Sequence, residues 1–232
     1  KQGYQIKLFF EGVKRINTSL DGGLNLKPLA GMLLIAGMDA RYHLPVLRHS
    51  VFANRLYLNA SFGKQRLLNH LGGTENWLIP KYSTESVSIT DQDFAFSQQV
   101  TEVRGHPLGA RKGSSAAVLS TEIRIPFFQY ILNQNWKNSF LRNLQLIGFT
   151  DIGFSWNGLI PNIKEAEEFK IRAQNPAVIV DVIYKRDPII SGMGIGLRSS
   201  LFGYFLRFDY AWPVDRFGFS KPLPHLSLGL DF

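Results

Sequence analysis

The 232 residues contain no cysteine. Disulfides and thiolate metal sites are therefore excluded. Long hydrophobic runs are also missing. The longest apolar stretch, Leu29 to Met38, is ten residues between Pro28 and Asp39. A membrane-spanning helix needs roughly 20 apolar residues, whereas a barrel strand crosses with about 9–11, half of them polar. The sequence thus lacks a transmembrane helix but leaves a membrane open. Helical periodicity is scarce too, and its best candidate is the charged stretch Lys164–Arg172, inside a loop. The five histidines, His43, His49, His70, His106 and His225, show no metal-ligand spacing, and no cofactor is implied. The net charge of +8 is scattered among apolar residues rather than gathered in a patch, so nucleic acid is not an expected partner.

What the chain has is period two. From Phe202 to Trp212, Phe202, Tyr204, Leu206, Phe208, Tyr210 and Trp212 alternate with Gly203, Phe205, Arg207, Asp209 and Ala211. Met193, Ile195 and Leu197 alternate with glycines and Arg198, and Ile152, Phe154 and Trp156 with Asp151, Gly153 and Ser155. Such alternation marks strands with one apolar face. About eight strands are expected, near 3–18, 29–45, 51–63, 115–126, 143–156, 190–199, 202–213 and 225–232.

The links alternate in length. Those near 19–28, 64–114, 157–189 and 214–224 are long, those near 46–50 and 200–201 are short, and 127–142 is intermediate. Short turns on one side and long loops on the other characterise outer-membrane barrels. A soluble sandwich would also alternate. Large aromatics on the apolar face, full charges mixed with glycine on the polar face, and long strands favour an antiparallel transmembrane β-barrel, with 1–232 as one part-barrel domain.

Five motifs resemble, in order, those of the BamA-like (bacterial surface antigen) superfamily of outer-membrane assembly and translocation barrels. They are Val103-Arg104-Gly105; Glu122-Ile123-Arg124-Ile125-Pro126; Phe149-Thr150-Asp151-Ile152-Gly153; Gly194-Ile195-Gly196-Leu197-Arg198 with Leu206 to Pro213; and the ending Leu226 to Phe232. They cover about residues 94–232, and the stretch from Asn76-Trp77 through Phe94-Ala95-Phe96 to Val103-Arg104-Gly105 looks most like Bacteroidota members. The resemblance implies the last eight strands of a sixteen-strand barrel. It implies a protein of the bacterial outer membrane that assists insertion or translocation of polypeptides and is not an enzyme. Its partners would be outer-membrane lipids, client polypeptides and periplasmic or lipoprotein accessory subunits.

By the same resemblance, loop 64–114 folds back into the lumen. Arg104 would pair with Glu122 and Asp151, beside Arg124 on the inner wall, and Gly105 would permit the tight turn. His106 departs from the aromatic usual at its position. Ser227, Gly229 and Phe232 fit the first part of a C-terminal assembly signal; either that signal is shortened or the chain continues. A passive channel, a surface-display barrel and the membrane anchor of a larger enzyme are the alternatives. Glu122 and Asp151 also have the composition of an acid/base pair, but their motif positions favour a structural role.

Overall fold

The computed structural model describes residues 2–14, 16–19, 25–28, 31–83, 94–131, 139–161, 168–175, 178–185, 187–201, 203–215 and 218–230. The chain opens with β1 (Gly3–Val13), a small hairpin of β2 (Ile16–Ser19) and β3 (Asn25–Pro28), and a long hairpin of β4 (Leu33–Val46) and β5 (Ser50–Gly63). The next segment carries β6 (Arg66–Leu71), β7 (Phe94–Gln99) and β8 (Arg111–Gly113). Strand β9 (Ser115–Ile125) leads through two helical turns, α1 (Phe127–Ile131) and α2 (Ser139–Arg142), to β10 (Gln145–Trp156). A hairpin of β11 (Glu168–Asn175) and β12 (Val178–Lys185) follows. The chain then forms β13 (Ile189–Leu201), β14 (Tyr204–Asp215), β15 (Gly218–Phe219) and β16 (Leu223–Leu230).

The fold is all-β. Nine strands form one antiparallel sheet in the order β1-β4-β5-β9-β10-β13-β14, with β15 and β16 both on the far edge of β14. Each long strand pairs with its predecessor among the long strands, as expected of hairpin-connected strands. Among the described residues β1 and β16 do not pair with each other, so the sheet has two ends. Antiparallel order puts the links 14–32, 64–114, 157–188 and 216–222 at one end of the strands. The turn at 47–49, the helical link 126–144 and the turn at 202–203 lie at the other.

Several boundaries differ from the sequence reading. The first strand stops at Val13, and Ile16–Ser19 belongs to a separate hairpin. Of Lys164–Arg172, the best helical candidate within the expected loop, residues 164–167 lie outside the described residues and 168–172 are part of strand β11. Its partner explains the difference. Val178-Ile179-Val180 and Val182-Ile183 are β-branched and pair across the whole hairpin, whereas an isolated nine-residue helix is marginal in water. The last strand is described as far as Leu230; Phe232 lies outside the described residues.

Register decides which residues share a face. On one face Tyr4, Ile6 and Leu8 oppose Tyr42, Ala40 and Met38; Leu56 opposes Leu119; Leu119 opposes Ile152; Ile195 opposes Tyr210; and Phe208 opposes Leu226. This face is apolar and bare: Tyr4 is 82% exposed, Leu8 74% and Ile195 56%. The other face is covered by the segment between β5 and β9 and is rich in polar groups. Asn59, Ser61, Ser115, Asp151 and Asp209 are all essentially buried. One apolar cluster, Leu71, Val103, Ala110, Ala116, Val118 and Ile190, joins that segment to the sheet. The sheet is therefore polar where it is covered and apolar where it is bare, the reverse of a sheet packed on a water-excluded core.

Candidate functional site: a loop tip seated on the sheet

The covering segment is tied down at its root. Ser61 Oγ and Asn69 Nδ2 both donate to the Ser114 carbonyl, at 2.8 and 2.9 Å. Strand β6 pairs parallel with β7 and antiparallel with β8, so the segment is a three-stranded sheet of its own. Beyond it Gly73 bridges Val103, and the Gly73 N–H donates to the His106 carbonyl at 2.9 Å. These bonds carry residues 102–106 across the polar face.

The seat is prepared by adjacent cross-strand rows. One row contains Arg55, Ser120, Asp151 and Gly192; the next contains Ala53, Glu122, Phe149 and Gly194. Arg104 lies over both rows and is fully buried. Its Nε donates to Asp151 Oδ2 at 2.6 Å, its Nη2 to Asp151 Oδ1 at 2.8 Å, and its backbone N–H to Oδ2 at 3.1 Å. Its Nη1 donates to Glu122 Oε1 at 2.8 Å. The guanidinium carbon sits 3.6 Å above the centre of the Phe149 ring, a cation–π stack with no water between. This bidentate, stacked geometry needs arginine and not lysine.

Glycine makes the approach possible. A Cβ on Gly192 would fall 1.9 Å from the Arg104 carbonyl oxygen, and one on Gly153 would fall 2.8 Å from Val103 Cγ2. Gly105 has φ of +90°, where a side chain is strained, and its N–H donates to His225 Nε2 at 3.0 Å. His106 anchors the far side: its Nε2–H donates to the Ser191 carbonyl at 2.8 Å. Burial pushes this imidazole below its ordinary value. His106 is thus a polar clamp.

The ionic network is wider than the sequence reading. Glu122 also accepts from Arg198 at 2.6 Å and from Arg124 Nε at 3.0 Å. Arg207 bonds both Asp209 and Glu102, and Thr74 Oγ1 donates to Glu102 at 2.9 Å. Burial alone would raise the Glu102 carboxyl; the Arg207 and Arg104 guanidiniums overcome it and hold the group well below the usual carboxylate range. Four arginines face four acids, so the site carries no formal excess charge. Both carboxylates of the supposed acid/base pair are bridged by Arg104 rather than open to a substrate. Glu102, Arg198, Arg207 and Asp209 were not expected as partners in this network. The available signal was their placement: three occupy the polar alternation of the last long hairpin, and Glu102 stands two residues before Arg104.

The remaining expected positions fall elsewhere. Ser227 and Gly229 lie on β16, with Ser227 opposite Arg207. Among the described residues no group of three His, Asp or Glu side chains is arranged to hold a metal. No protein-family model, curated protein or solved structure matches the chain.

Proposed function

We propose that this chain is the C-terminal half of a sixteen-stranded barrel of the BamA-like kind in a bacterial outer membrane, where it assists insertion or translocation of polypeptides. The observation that carries this reading is the seat of Arg104: a loop arginine, fully buried, joined to Asp151 and Glu122 across a polar wall whose reverse side is bare and apolar. A lipid environment accounts for such a reverse side, since large apolar side chains such as Tyr4, Leu8, Leu119, Ile152 and Ile195 stand exposed along successive strands.

Three further facts support the reading. Strands β1, β4, β5, β9, β10, β13 and β14 run 11–14 residues, long enough to cross a bilayer at a tilt. The long links gather at one end of the strands. Eight strands closed on themselves leave room only for packed side chains, yet here a folded segment with its own three-stranded sheet covers the polar face. That covering segment fits a wider wall, with strands beyond β1 and β16, better than an eight-stranded closure. No step calls for a cofactor. The partners are lipids on the bare face, client chains at the sheet's end, and periplasmic or lipoprotein subunits.

The test is Arg104→Ala in the full protein. The variant is expected to reach the outer membrane but to lose heat-modifiable mobility and client assembly. If both stay normal, the assembly reading fails and a passive channel takes its place.

A further inference from the structure

The helical link 126–144 is longer than two antiparallel neighbours need, since a short hairpin turn would join them. Its first helix, α1, braces the turn beside it. The His49 N–H donates to Tyr130 Oη at 3.1 Å, and that oxygen lies 2.9 Å from Ser50 Oγ. The His49 and Tyr130 rings meet edge to face, with centres 5.7 Å apart. The braced turn also holds Leu47 at φ of +60°, a backbone conformation uncommon for leucine. Both features fix where His49 stands.

His49 stands at a cavity of 460 Å³ on the covered, polar face, at the short-link end of the strands. Register accounts for the hollow. Gly3 is opposite His43, and Val51 is opposite Arg124, so small residues of β1 and β5 alternate with long ones of β4 and β9. Gln145 of β10 completes the wall. The lining holds two imidazoles and one guanidinium but no acid. Arg124 Nε donates to Glu122 at 3.0 Å, yet that carboxylate also serves Arg104 and Arg198. The Glu122 side chain is 7% exposed and that of Arg124 34%, so it is the cation that meets the cavity.

We propose that this cavity binds a phosphate ester, with Arg124, His43 and His49 on the phosphate oxygens and Gln145 on the group that carries them. A hollow lined by donors and a cation, without a carboxylate, favours an oxyanion. Donors converging from β4, β9 and a turn suit the diverging oxygens of a phosphate better than a planar carboxylate. The volume falls within the range of about 300–1,000 Å³ usual for small-ligand sites. Two sources carry this chemistry, a soluble phosphate ester and a phospholipid headgroup. The cavity does not depend on the barrel reading, which enters only through the lipid. Strands added beside β1 lengthen the wall without covering this face.

The test titrates the full protein with glycerol 3-phosphate in phosphate-free buffer, read by calorimetry. Saturable binding is expected. Arg124→Gln should weaken it at least tenfold, and so should Gln145→Glu, which adds an acid to the lining. Arg48→Gln removes a charge from the same turn but outside the lining, and should leave affinity within twofold. A loss there equal to that of Arg124→Gln means diffuse attraction to a basic surface and overturns the site. A second arm follows the His49 ring resonance, assigned by its absence in His49→Gln. It compares the protein in maltoside, which has no phosphate, with the protein in phosphatidylglycerol discs. Binding of the soluble ester alone identifies a soluble source. A shift in the discs alone, abolished by Gln145→Glu, identifies the headgroup, and a response to both supports the shared chemistry. A response to neither overturns the site. Client assembly bears on the barrel reading only, because the calorimetric arm needs no client.

Discussion

Two arginine clusters lie on the covered face, and they differ in what surrounds them. Around Arg104 the guanidinium is fully buried, stacked on Phe149, and bonded to carboxylates from two strands. Around Asp39 the same charges meet at the rim. Arg41 and Arg55 each bond the Asp39 carboxylate, at 2.9 and 3.0 Å, but the Arg41 side chain is 45% exposed and that of Arg55 24%. Arg55 also reaches Thr101 Oγ1 at 2.9 Å, so both clusters hold the covering segment. Distances alone do not rank them. Water does: an exposed pair is screened and returns little, whereas removing one member of a buried pair strands a charge away from solvent.

The sharpest way to break the contrast is Asp151→Ala. It removes three hydrogen bonds from Arg104 and leaves a buried guanidinium with Glu122 as its nearest acid. A loss of about 3–5 kcal/mol is expected, read by denaturant unfolding. Next comes Gly192→Ala, which touches no charge. Its Cβ would meet the Arg104 carbonyl, so the tip must lift or the wall must bend, at a cost of about 1–3 kcal/mol. Faster tryptic cleavage after Arg104 would report the lifted tip; unchanged cleavage would mean that the wall yields.

Acid probes the Arg104 cluster by a different route. Glu102 titrates lower in the folded chain than its ordinary value of 4.5. Its contribution to stability is therefore complete above pH 4.5 and is lost as pH falls further. Glu102→Gln should flatten the fall in stability below pH 4.5, measured as unfolding midpoints from pH 6 downward. An equally steep fall would remove Glu102 from the account. The smallest effect belongs to Arg41→Ala, at about 0–1 kcal/mol and diminishing further in high salt. A loss there as large as that of Asp151→Ala would abolish the distinction between the clusters.

Most of the strand pattern was legible because each signal was local. The alternation of Met193, Ile195 and Leu197 with glycine holds in β13, and that of Tyr204 to Trp212 in β14. The residues of the site were legible in part. Val103-Arg104-Gly105, Glu122 and Asp151 were read from motif positions, and the structure brings all of them together. Arg198 and Glu102 were not assigned as partners, because alternation gives a side chain's face but not its neighbour across several strands. The hairpin within the expected loop 157–189 was not legible, for a related reason: the charged stretch Lys164–Arg172 carries only a weak helical pattern. Its conformation across 168–172 depends on a β-branched partner strand that follows it in the chain.

By itself the sequence determined the set of long strands and which face of each is apolar, since period two is a property of neighbouring residues. It also carried the glycines, without their reasons. Tertiary structure alone decided that Gly192 and Gly153 make room for the loop tip, that four arginines and four acids share one network, and that Asn76–Leu78 lies on the edge of β16. These contacts join residues far apart in the chain, 47 positions for Arg104 with Asp151 and 120 for Gly105 with His225. No local pattern encodes such a pairing; the register of the whole sheet brings its members together.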